Sequence, residues 1–251
     1  MAGATHKVDI GDDNALPPWS TIFEIAHAVE TDDWVLVGGL MVQLHARRAS
    51  IAPPRTTKDV DLVADVVTNG SSLSALAGSL GRRGFVATIP DARNAPVYRY
   101  SRGKEQVDVM VADHLPSSIR PRLQQRPAFS VDGGTQALKR RDTFIVTSST
   151  GSVTIGVPDV LGALVGKGAA YMVDQRSPQR HLEDSAVLLA SIDVVGALDL
   201  SLSKNDRRRL NRVASELSDP FHTGWLGLNQ AEQNAGQRNL ALLISAAALD
   251  G

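Results

Sequence analysis

Apolar residues recur along this chain with two different periods, and the change of period divides the sequence. The first residues, up to Pro17 and Pro18, alternate too weakly to predict an element and read as an irregular arm over 1–18. Ser20 is placed to cap a helix running to about residue 30. WVLVGG (34–39) is a short apolar run closed by two glycines, the signature of a buried strand, and LMVQLHARR (40–48) then takes helical spacing. Pro53 and Pro54 make 49–57 a loop. DVDLVADV (59–66) alternates acidic and apolar residues, as a strand with one polar and one apolar face does. After the Asn69-Gly70 turn, residues 71–84 predict an amphipathic helix ended by Gly84. FVATI (85–89), VYRYSR (97–102) and EQVDVMVAD (105–113) predict strands, the last two joined as a hairpin at Gly103. A basic stretch leads to two further strands, 143–149 and 152–157. From Pro158, suited to a first helical position, PDVLGALVGKGAAYMV, RHLEDSAVLLASI, KNDRRRLNRVASEL and QAEQNAGQRNLALLISAAAL all repeat with helical periodicity. The expected class is α+β: a domain over 1–157 with a mixed β-sheet and flanking helices, then a helical domain over 158–251.

Composition narrows the chemistry. Of 251 residues, 43% are hydrophobic, enough to fill a core. A formal net charge of −1 gives no global field for nucleic acid, so any such contact falls to local patches. With no cysteine, disulfides, thiolate nucleophiles and Cys-ligated metals are excluded, which fits a cytoplasmic setting. The N-terminal residues lack a basic stretch followed by an apolar run, so no signal peptide is expected. The apolar stretch Leu240 to Leu249 is shorter than the ~20 residues that span a bilayer.

Candidate chemistry centres on carboxylates. Asp59 and Asp61 are two apart in a strand and project from one face. An isolated D-x-D is commonly two solvated carboxylates. Here the pair follows a strand–Gly-Gly–helix unit, and Asp108 interrupts the apolar strand VDVMV, where an unpaired carboxylate is costly to bury. Three carboxylates with triphosphate oxygens form a hard oxygen site suited to Mg²⁺ or Mn²⁺. Two such ions, about 3.5–4 Å apart, serve in-line displacement. Gly38 and Gly39 would let backbone N–H groups approach phosphate at the start of the next helix.

The stretch VGGLMVQLHARRASIAPPRTTKDVDLV resembles the nucleotidyltransferase superfamily motif, a Gly-Gly or Gly-Ser turn followed by D-h-D. More closely, Gly38, Gly39, His45, Arg55, Thr57, Asp59, Asp61 and Leu62 fall on the pattern of the AbiEii-type nucleotidyltransferase toxins of type IV toxin–antitoxin systems. The third carboxylate of that pattern maps to Asp108, and its C-terminal helical Lys and R-x-x-x-D stretch map to Lys167, Arg180 and Asp184. The resemblance spans about 33–113 and 158–190, with a 19-residue spacing between Gly39 and Asp59 that is longer than usual for the family, and Met41 in place of a small residue.

What the resemblance implies is a nucleotidyltransferase-like sheet that binds NTP through Gly38, Gly39, Arg55, Thr57 and Lys167, and metal through Asp59, Asp61 and Asp108. Asp184 would orient the triphosphate or bind the acceptor. It further implies transfer of a nucleoside monophosphate to an acceptor hydroxyl, such as a tRNA 3′ end, by a toxin with a cognate antitoxin partner and no membrane association. Other acceptors open to the same chemistry are a small molecule of the aminoglycoside kind or a protein side chain; a catalytically silent nucleotide-binding module is the remaining alternative. Taken alone, Lys167 would snorkel to solvent, Arg180 would pair with Asp184 on the surface, and His45 would be a core or capping histidine. Arg47, Arg48, Arg55 and Lys58, with Arg120, Arg122, Arg126, Lys139, Arg140 and Arg141, gather near the motifs and would suit an RNA backbone. Arg207, Arg208, Arg209 and Arg212 read as a solvated helix face.

Overall fold

The computed structural model describes residues 3–52 and 56–248. Strand and helix alternate through the first part: β1 (Thr5–Asp9), α1 (Trp19–Ala26), β2 (Trp34–Val37), α2 (Gly38–Arg48), β3 (Asp59–Ala64), α3 (Ser72–Arg82), β4 (Val86–Ala87), β5 (Arg99–Arg102) and β6 (Glu105–Ala112). Three two-residue strands follow, β7 (Arg122–Leu123), β8 (Arg126–Pro127) and β9 (Ser130–Val131), then α4 (Gly134–Lys139), β10 (Arg141–Ser148) and β11 (Gly151–Pro158). The remainder is helical: α5 (Val160–Val173), α6 (Gln179–Ala190), α7 (Lys204–Leu217) and α8 (Gln230–Ala247). The chain is therefore a mixed α and β protein with a helical C-terminal part. It divides into two compact units, Met1–Met41 with Thr57–Pro158, and Val42–Thr56 with Asp159–Gly251.

The first unit contains two main sheets. In the larger, the order is β2-β3-β6-β5-β4, with β9 also pairing β6. β2 and β3 are antiparallel, β3 and β6 parallel, and β5 and β6 an antiparallel hairpin turned at Gly103. Since β3 occupies one edge of β6, β5 and then β9 succeed one another along the other. Alternation sorts the side chains: Val60, Leu62 and Ala64 of β3 are buried on one face, with α3 packed against that strand. On the other face, the cluster of Val35, Val63, Met110 and Ala112 is covered by Ala137 of α4. This second face also carries Asp59, Asp61 and Asp108, which lie outside the apolar cluster that Ala137 of α4 joins.

The smaller sheet, β1-β10-β11, corrects the reading of 1–18 as an irregular arm. Thr5–Asp9 pairs in parallel with Thr143 to Thr147 of β10. Only Val8 of that strand is buried, which is why its alternation was too faint to read. Three other expectations shift. FVATI contributes only Val86–Ala87 to a strand. The α1 helix begins at Trp19 rather than after Ser20. Pro158 closes β11, and the next helix starts after Asp159, whose carboxylate accepts from the Gly162 amide at 2.7 Å.

In the second unit, helices α5 to α8 enclose Leu161, Leu164, Leu182, Leu188, Leu210, Val213, Trp225, Leu240 and Leu243. Ser203 with Asp206 and Asn229 with Glu232 form capping boxes that start α7 and α8. The arginines of α7 are not a simple solvated face. Arg208 is exposed, but Arg209 is buried and Arg207 donates to the Ala247 carbonyl. No helix among the described residues is long and apolar enough to cross a membrane.

Candidate active site

The candidate site in the first unit is built by register. Asp61 lies opposite Val37 on one side and Asp108 on the other, so the turn after β2 and the carboxylate of β6 flank it at one level of the sheet. Asp59, two residues earlier, shares its face and lies beside Gln106. Asp59 and Asp61 are partly exposed, while Asp108 is buried.

Both glycines serve close approach. Gly38 opens α2 with a φ of +71°, and a Cβ there would lie 1.8 Å from Asp61 Oδ2. A Cβ on Gly39 would lie 2.6 Å from Thr57 Oγ1, and Thr57 is itself buried. Gly38 and Asp61, and Gly39 and Thr57, are thus brought together, while Arg55 lies outside the described residues. Gly38→Ala is expected to cost about 2 kcal/mol of stability, from the left-handed backbone and the displaced carboxylate together, and to move the Asp61 side chain. Thermal melting would read the first effect. A Gly38→Ala protein as stable as the wild type would contradict the close packing.

Asp108 has a partner that the sequence reading missed. Arg99, its cross-strand neighbour on β5, grips it in a two-pronged fork, Nε to Oδ1 at 2.9 Å and Nη2 to Oδ2 at 2.8 Å. The fork raises the guanidinium's proton affinity above the ordinary arginine value, with the Asp108 and Asp59 charges adding to it. The signal lay in the hairpin: counting outward from Gly103, Arg102 meets Glu105 and Arg99 meets Asp108. As the side chains stand, no three His, Cys, Asp or Glu among the described residues form a metal-holding group. The donor set nevertheless suits a hard divalent cation in kind, because each Asp108 oxygen keeps a second lone pair beside the one Arg99 engages.

Lys167 and Asp184, in the second unit, do not meet solvent. The Lys167 ammonium lies 2.7 Å from Asp184 Oδ2, with the two side chains 6% and 1% exposed. Lys167 therefore does not snorkel. Nor does Arg180 pair with Asp184; it reaches Asp174 at 2.9 Å, alongside His181 Nε2 at 3.0 Å. His45 is buried, as a core histidine would be.

Burial pushes the His181 imidazole's proton affinity below its ordinary 6.5; the Lys167 charge acts in the same direction, against the Asp174 hydrogen bond. A histidine depressed in the fold stays neutral where the unfolded chain binds a proton. Its contribution is complete above pH 6.5 and is lost as the pH falls below it. Unfolding free energy should therefore decline on acidification through that window, and less steeply in His181→Gln. Parallel pH–stability curves for the two proteins would refute this.

The basic segments are largely engaged within the chain. Arg48 donates to Asp193 at 2.5 Å and to the Ser191 carbonyl at 2.6 Å. Arg126 donates to the Ala92 carbonyl, Arg122 to that of Gln125, and Arg141 to those of Thr31 and Asp32. Among the described residues of these segments, Lys58, Arg120, Arg122 and Lys139 are exposed.

No family model matches the chain, and no curated protein does. A solved structure described as an antigenic nucleotidyltransferase-like protein from Paracoccidioides brasiliensis is similar over 83% of this chain and 92% of its own, with a TM-score of 0.49 and 17% sequence identity. A likeness of that degree assigns this chain to no family.

Proposed function

We propose that this chain is a metal-dependent nucleotidyltransferase that moves a nucleoside monophosphate from NTP to an acceptor hydroxyl. The observation that carries the reading is the contact of Gly38 with the Asp61 carboxylate, with Asp61 in register with Asp108. It puts the glycine start of a helix against a pair of acidic side chains, an arrangement with little use in a purely structural sheet. Asp59, Asp61 and Asp108 would hold Mg²⁺ or Mn²⁺, which when bound supplies positive charge to the polyphosphate and acidifies the attacking hydroxyl. The chain's own groups do the rest. Gly38 and Gly39 would admit phosphate oxygens to backbone N–H groups, with Thr57 packed against Gly39.

For the acceptor, the reading favours the 3′-terminal hydroxyl of an RNA such as tRNA, and with it a toxin held by a cognate antitoxin. A cationic aminoglycoside calls for acidic side chains beyond the three ligands, whereas the carboxylate face supplies Arg99. The test is incubation with each labelled NTP and Mg²⁺ in the presence of total RNA and total protein. Label in RNA is expected. Label confined to protein or a small molecule would overturn the RNA acceptor, and label nowhere would overturn nucleotidyl transfer.

A further inference from the structure

The hairpin β5–β6 uses the same pairing twice, once on each face. Arg102 and Glu105 lie on the face of α1: Arg102 donates to Glu105 at 2.7 Å and 3.0 Å, to Glu24 of α1 at 3.0 Å and 3.1 Å, and to the Arg83 carbonyl at 3.1 Å, and its guanidinium sits 4.4 Å from the centroid of the Phe85 ring. Glu105 also accepts from Thr21 at 2.6 Å. That cluster ties sheet to helix. The outer pair, Arg99 and Asp108, faces the opposite way, and its fork joins two strands already held by the ladder. The Arg99 side chain is 39% exposed, rests over Tyr98 at 5.5 Å, and feels the Asp59 charge as well as that of Asp108. It is a mobile-length cation parked among carboxylates.

We propose that Arg99 is a polyphosphate-binding residue that occupies Asp108 until metal and nucleotide arrive. This rests on the nucleotidyltransferase reading above and assigns that site a residue the motif does not contain. The physical basis is competition. A guanidinium fork and a divalent ion both draw on the Asp108 carboxylate, and two cations on one carboxylate repel. When the ion takes Asp108, the guanidinium is displaced toward the nearest anion, and the incoming triphosphate matches its fork geometry. Arg99 thus opposes the binding of metal alone and favours the binding of metal with nucleotide. The protein then binds its metal together with substrate.

The test compares wild type, Arg99→Ala, Arg99→Lys and Asp61→Asn in two binding measurements. One is Mn²⁺ binding without nucleotide, read from the electron paramagnetic resonance of free Mn²⁺. The other is binding of an α,β-methylene NTP analogue in the presence of Mn²⁺, read by calorimetry. Arg99→Ala should bind Mn²⁺ on the order of tenfold more tightly and the analogue on the order of tenfold more weakly, as for loss of a charge-assisted contact. Arg99→Lys, which keeps the charge without the fork, should recover part of the analogue affinity. A structural role alone moves both affinities in one direction, with a lowered melting temperature. That result, or unchanged Mn²⁺ affinity in Arg99→Ala, overturns the proposal. If Asp61→Asn binds Mn²⁺ as tightly as wild type, the metal-site reading itself fails, which separates the two failures.

Discussion

Replacing Asp61 with asparagine is expected to remove nucleotidyl transfer, by about a thousandfold or more, while leaving the protein folded. The expectation follows from position. Asp61 stands at the centre of its row, between the Gly38 turn and Asp108, and the metal site proposed above includes it. Losing one anionic ligand from a hard-cation site removes several kcal/mol of charge stabilisation, and each ~1.4 kcal/mol is tenfold in rate. Stability should not follow activity downward. Asp59, Asp61 and Asp108 share one face, and removing one negative charge relieves repulsion among them. Melting by circular dichroism should therefore show an unchanged or slightly raised midpoint, and label transfer from NTP should vanish. Full activity in Asp61→Asn would sink the assignment.

Lys167→Ala should produce the largest loss of stability, about 3–5 kcal/mol. The substitution strips the Lys167 ammonium from Asp184, which is 1% exposed, and leaves that buried carboxylate with one charged partner fewer. Asp184→Leu combined with Lys167→Met removes both charges and should restore most of that loss, since paired buried charges are often replaceable by apolar groups of similar volume. The double variant also separates packing from chemistry. If the pair serves only the helical core, the refolded double variant transfers nucleotide normally. If the amine contacts phosphate, that protein is stable and inactive. Urea unfolding alongside labelled-NTP transfer reads both, and a Lys167→Ala protein within 1 kcal/mol of wild type would refute the buried-pair argument.

Much of this arrangement is legible in sequence where periodicity is strong. The β3 segment betrays its two faces because Asp59 and Asp61 alternate with Val60 and Leu62, and the register then brings Asp108 beside Asp61. Four helices after residue 158 are visible from their apolar spacing alone. The misses have physical reasons. Lys167 lies between glycines in an apolar helical segment, where a lone lysine is expected to snorkel to solvent. Gly168 permits a close approach: a Cβ there would lie 2.4 Å from the Arg209 carbonyl oxygen. Arg180 was matched to Asp184 by its spacing, but the turn between α5 and α6 presents Asp174, which also accepts the Arg176 and Ser177 amides and so is fixed in place. Between 114 and 140, two-residue strands carry too few positions to show a period.

The pairing of β1 with β10 has a consequence for the order in which the molecule is made. Val8 finds its place beside Val146, so the strand emerges from the ribosome long before its neighbour exists. At typical elongation rates the wait is on the order of ten seconds, far longer than a helix or hairpin takes to form. During that interval the hairpin of β5 and β6 has its whole sequence available, whereas Thr5–Asp9 has no edge to join. Its own composition makes the delay safe: Thr5, His6, Lys7 and Asp9 around a single buried valine form a segment too polar to recruit a second nascent chain. The faintness that hides this strand from a reader of the sequence is the same property that lets it wait in solution.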